Sequence, residues 1–155
     1  MSIWTHVAGV ARVDDICFDG KHYIDLAKLK RRLGRMALWE DEDAEESWDK
    51  CKLPLGSEGS VEYTLDTNPD NCCLSAHVLT VWGNLRDYQD IEGVVKWWKK
   101  TLRKLSLRQA VLTVTVESYS QVVICWDTAN RRWKRYTIPY LNSKQDKEWK
   151  ALINE

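Results

Sequence analysis

Residues 72–105, CCLSAHVLTVWGNLRDYQDIEGVVKWWKKTLRKL, decide the fold, because an apolar run, a short polar joint and an amphipathic segment follow one another there. Ile91, Val94, Val95, Trp98, Leu102 and Leu105 recur at the spacing of one helix stripe, so a helix with a core-facing side is expected. Lys96, Lys99, Lys100 and Arg103 fall opposite and crowd toward its C-terminal end, while Asp87, Asp90 and Glu92 stand at its start. Both placements suit the helix dipole. Asp90 is the expected N-cap, its short carboxylate accepting from first-turn amides. Trp97 sits at the margin of the stripe, where its ring would be half-covered. Cys72 to Trp82 reads as a strand, and Gly83 to Asp87 as the joint between strand and helix.

Outward from this unit, Ile3 to Val13 shows little polar alternation and is expected as a central strand covered on both faces. Asp19-Gly20 marks a tight turn, and Leu26, Leu29 and Leu33 a short helix ended by Gly34. Ala44, Trp48 and Cys51 share one side of a helix over 42–51. LPLGSEGS, residues 53–60, is turn chemistry, and residues 61–66 alternate as a half-exposed strand. Asn68 to Asn71 turns the chain into the Cys72 strand. Residues 107–117 alternate with Ala110, Leu112, Val114 and Val116 on one face, and 121–127 with 132–138 read as a terminal hairpin extending the sheet.

The order of elements predicts an α+β fold: a ferredoxin-like βαββαβ antiparallel sheet with its helices on one face, plus a C-terminal β-hairpin and a short helix over 143–153. A single domain spans 1–155, with a core of 1–117 and an extension of 118–155. The first strand and the Cys72 strand should be central neighbours. The opposite face is open unless the hairpin or a second copy covers it, so a homodimer is one expected outcome.

Composition narrows the function classes. The 23 basic and 23 acidic residues cancel, so no global field draws the chain to nucleic acid. Five cysteines without a CxxC pair give neither a disulfide framework nor a zinc motif. No apolar run reaches the ~18 residues of a membrane span, and a cytoplasmic protein is expected. Nine tryptophans beside one phenylalanine suggest a core built on Trp, with some rings left for partners.

No catalytic constellation stands out, no cofactor is expected, and the chain reads as a non-enzyme. His6 and His77 lie on expected neighbour strands, yet no third ligand or paired acid accompanies them. Cys73 and Cys125 sit mid-strand in apolar runs, where a thiol stays protonated. The 53–60 loop lacks GK[ST] and GxGxxG, and Glu58 would repel an anion. The basic run 28–35 followed by the acidic run 40–46 is most simply a pair of solvated faces, with phosphate mimicry the functional alternative. The Cys72 strand does not match the RNA-reading RNP1 pattern, and Trp4, Trp82 and Trp126 could stack bases only from the open face.

The combination WTHVAGV (4–10), LPLGSEGS (53–60), GNLRDYQD (83–90) and RQAV (108–111) resembles a family of small uncharacterised proteins encoded by bacteriophages and prophages of Gram-positive bacteria. The resemblance covers residues 3–117 and implies a phage accessory protein in the host bacterial cytoplasm. Such a protein is expected to act by binding, as an anti-defence factor that inhibits a host immune protein in the manner of an anti-CRISPR. Trp97, Trp39 and the acidic 40–46 run are its candidate anchors. The alternative partner is a nucleotide immune signal, sequestered by Arg86, Arg108 and the Gly56–Ser60 loop, Ser57 and Glu58 included, with Asp87 beside Arg86 at the joint. A nucleic-acid-binding ferredoxin-like module is a further alternative.

Overall fold

The structure, a computed structural model, describes residues 2–14, 26–37, 51–66, 76–117 and 120–139. Six strands form one antiparallel sheet: β1 (Trp4–Asp14), β2 (Glu62–Asp66), β3 (Ala76–Arg86), β4 (Leu107–Val116), β5 (Ser120–Asp127) and β6 (Arg132–Pro139). Their order across the sheet is β2-β3-β1-β4-β5-β6. Two helices are described, α1 (Leu26–Leu33) and α2 (Ile91–Thr101).

This architecture corrects the expected ferredoxin-like α+β fold. The described chain is mostly one six-stranded sheet carrying helices of only 8 and 11 residues. The terminal hairpin is no decoration either. β5 pairs with β4 from Val111↔Cys125 to Val116↔Ser120, and β6 pairs with β5 along its whole length. The physical reason is that Val122 and Ile124 continue the buried row of Leu112 and Val114, so the apolar face runs on into β5. The expected neighbours β1 and β3 do pair, from Trp4↔Arg86 to Asp14↔Ala76.

Two strands also differ from expectation. β1 is central but covered on one face only: Val7, Ala11 and Val13 are buried, whereas His6, Ala8, Val10 and Arg12 are exposed. Small and β-branched residues on both sides had hidden the alternation. β3 continues to Arg86, so Gly83 to Arg86 is strand and only Asp87 turns, at φ 55°. The turns at 19–20 and 68–71, the helices over 42–51 and 143–153, and Cys72 to Ser75 lie outside the described residues.

The core sits between the sheet and the helices. Leu29 and Leu33 of α1 and Val94, Val95 and Trp98 of α2 pack on Val7, Ala11, Leu79, Val81, Leu112 and Ile124. Asp90 caps α2 as expected, its carboxylate accepting from the Gly93 amide at 2.8 Å. Gly34 ends α1 at φ 81°, its amide donating to the Lys30 carbonyl at 2.9 Å. The Arg32 guanidinium donates to the Thr101 and Arg103 carbonyls at 3.0 and 2.6 Å. It thereby satisfies the open end of α2 and ties the two helices together.

Candidate functional site

Four of the residues singled out in the sequence come together at the end of β3. The 53–60 loop folds back on itself through a Leu55↔Ser60 bridge and lies against Arg86. Ser57 N–H donates to the Arg86 carbonyl at 2.9 Å, and Arg86 N–H to the Glu58 carbonyl at 2.8 Å. Ser57 Oγ donates to Asp87 at 3.0 Å, and Arg86 Nε to Ser2 Oγ at 3.0 Å. The Arg86 guanidinium pairs with Glu58 and stands 3.6 Å from Asp87. Glycine permits the approach: a Cβ on Gly59, at φ 79°, would lie 1.9 Å from the Asn84 carbonyl oxygen, and one on Gly56 2.5 Å from that of Arg86.

The cluster is therefore closed on itself. Arg86 donates from Nε to Ser2 and pairs through Nη1 with Glu58, and the Glu58 and Asp87 carboxylates offset the charge it would present to a phosphate. The most specific motifs of the sequence, GSEG and GNLRD, have a structural explanation here: they pin a loop to a strand end.

The other expected site residues are scattered. Arg108 lies between Leu107 and Gln109 of β4, which pair with Val13 and Arg12, so it is toward the opposite end of the β1 ladder from Trp4 and Arg86. Trp39 and the acidic 40–46 run lie outside the described residues. Trp97 is half-buried against Trp98, their ring centroids 6.1 Å apart, and its indole N–H is buried without a partner. It lines a cleft of about 430 Å³ with Arg31, Arg32, Lys52, Lys100 and Thr101. A second cleft of about 510 Å³ is lined by Lys30, Arg31, Gly34, Arg35, Lys52 and Tyr63.

An open side of the sheet was expected from the sequence, but not the side chains that line it. Trp82, Ala8, Thr113, Val123 and Tyr136 form one continuous cross-strand row, and Thr80, Val10, Val111, Cys125 and Lys134 form the next. Neither described helix lies there, since both pack on the opposite side. Of the five large apolar side chains left exposed among the described residues, Val10, Trp82, Tyr136 and Ile138 stand on this face. Its charges are mixed: Glu62, Asp66 and Arg12 near β2 and β3, and a Lys134–Asp127 pair at 2.8 Å near the hairpin turn. The signal that could have found it was the even-numbered series His6, Ala8, Val10, Arg12.

The two histidines are not brought together. His6 is on the open face, within 2.6 Å of Asn84 and 3.4 Å of Glu117, whereas His77 is buried and pairs with Val13 at the other end of the ladder. Of the three tryptophans considered for stacking, Trp82 is exposed on the open face, and Trp126 instead packs edge-on against Trp133 at 5.3 Å. Burial, with Asp90 beside it, pushes the Tyr88 phenol up. The hydrogen bond from Lys134, supported by Asn130, holds the Asp127 carboxyl well below the usual carboxylate range. No group of three or more metal-ligating side chains occurs among the described residues, and none of their helices is long and apolar enough to cross a membrane.

No family model matches the chain, and neither does any curated protein or solved structure.

Proposed function

We propose that the chain is a binding protein without catalytic activity, an accessory factor of bacteriophage that blocks a host defence protein by docking the open face of its sheet on it. The observation that carries this reading is the gathering of Val10, Trp82, Tyr136 and Ile138, 40–53% exposed, on a face no described helix covers. Large exposed rings are what protein interfaces use as anchors, and Trp82 on β3 and Tyr136 on the edge strand β6 stand at the two ends of one cross-strand row. Five strand spacings by some ten residues give a face of roughly 700 Å², close to the ~800 Å² each partner buries in a standard interface. The phage and host context rests on the resemblance of the GSEG, GNLRD and RQAV segments.

The chemistry of the face favours a protein over nucleic acid. Arg12 and Lys134 are offset by Glu62, Asp66 and Asp127, so phosphates would meet repulsion as often as attraction. The partner that fits is a protein with an apolar centre and charges of both signs around it. In this reading the anchors are Trp82 and Tyr136, while the expected Trp97 stands on the helix side of the sheet.

The test is co-purification from phage-infected host cells with the native chain and with Trp82→Ala plus Tyr136→Ala. A host defence protein retained by the native chain, inhibited by it in a purified assay, and lost with the double variant supports the reading. Retention undiminished by the double variant contradicts it. A dimer of the purified chain in light scattering, abolished by the same substitutions, makes a second copy the occupant and also contradicts it.

A further inference from the structure

We propose that the basic flank of α1 and α2 is a second binding site, one that takes a nucleoside polyphosphate. The chain as a whole is neutral, yet Lys30, Arg31, Arg35, Lys52 and Lys100 converge on two clefts that share Arg31 and Lys52. Lys30, Arg35, Lys52 and Lys100 have no ion-pair partner among the described residues. These four cations, gathered without counter-charges among the described residues, raise the local potential and draw in anions. The volumes, about 430 and 510 Å³, are those of small-molecule sites.

Aromatic walls distinguish this site from a plain basic patch. Trp97 lines one cleft and Tyr63 the other. The Tyr63 hydroxyl donates to the Gly34 carbonyl at 2.9 Å, which fixes its ring at the end of α1. A nucleotide satisfies both features: its phosphates meet Lys52, Lys30 and Arg35, and its base lies on the Trp97 side beside Lys100. Arg86 and Arg108, the arginines expected to serve a nucleotide, take no part. The site is also on the helix side of the sheet, away from Trp82 and Tyr136, so this inference and the sheet-face reading fail independently.

The experiment is isothermal titration of the full chain at low salt with ATP, inorganic tripolyphosphate and adenosine. Saturable ATP binding is expected, weakened at least about tenfold by Lys52→Glu or Arg35→Glu and weakening further as salt is raised. Trp97→Leu should weaken ATP without weakening tripolyphosphate, and Trp82→Ala should change neither. Thermal melts of each variant identify any that fail to fold, in which case the other charge reversal decides. The proposal is overturned by no heat at millimolar ATP, or by tripolyphosphate binding as tightly as ATP. It is overturned too if ATP binds only after the acids of 40–46 are neutralised, because the chain's own charges would then be the cleft's occupant.

Discussion

The two faces of the sheet are made from the same strands and carry opposite assignments. On the helix side, Val7, Ala11, Leu79, Val81, Leu112, Val114, Val122 and Ile124 are buried. On the other side the residues between them form two rows, Ala8, Thr113 and Val123 between exposed Trp82 and Tyr136, and Val10, Val111 and Cys125 between Thr80 and Lys134. Apolar content alone does not separate these faces. What separates them is whether a described helix supplies the second layer, so burial and stability belong to one face, and exposed apolar side chains to the other.

The largest effect should come from breaking the covered face. Trp98 is fully buried at the centre of the α2 stripe, and Trp98→Ala should cost about 3–5 kcal/mol. A melting temperature lowered by some 10 °C, measured by calorimetry, is the expected reading. The joint comes next. Gly59→Ala puts a Cβ against the Asn84 carbonyl at a left-handed backbone angle, and a loss of about 1–3 kcal/mol in urea unfolding is expected. Arg86→Ala at the same place should cost no more than about 1 kcal/mol, because its ion pairs are at the surface. The difference between these two variants separates backbone closure from side-chain charge.

Smaller still, Trp82→Ala and Tyr136→Ala on the open face should each stay within about 0.5 kcal/mol of the native stability, while removing partner binding. The smallest effect concerns the β5–β6 turn, where Asp127 has its pKa lowered by the Lys134 hydrogen bond. A carboxyl depressed on folding adds stability that is complete above its unfolded pKa of about 4 and lost as pH falls through the folded value. Asp127→Asn should therefore flatten the acid limb of the urea midpoint plotted against pH. A limb unchanged by the substitution would remove that role.

What could be read from the sequence divides along the same line. The α2 stripe, its Asp90 cap, the Gly34 stop of α1 and the alternation of β4 were legible, because each is set by local spacing and capping chemistry. The six-stranded sheet was legible in part: residues 121–127 and 132–138 read as a hairpin extending it, and β5 does pair on β4. The hydrogen-bonded edge that β4 offers has no signature within either strand, so the hairpin was set outside the expected βαββαβ core. The joint was half legible: GSEG and GNLRD were recognised as special and do meet. That Arg86 meets Glu58, Asp87 and Ser2 depends on the loop's path and could not be read. The open face was expected but its lining was not, because Ala8 and Val10 look like core and only the buried partners of their neighbours give them away.

The difference between the faces is tested most directly by hydroxyl-radical footprinting of the native chain, inside phage-infected host cells and as purified protein at matched concentration. Trp82 and Tyr136 should be protected in cells and labelled when pure, with Trp98 protected in both. Equal labelling of Trp82 and Tyr136 in the two settings would contradict the assignment of that face to a host partner.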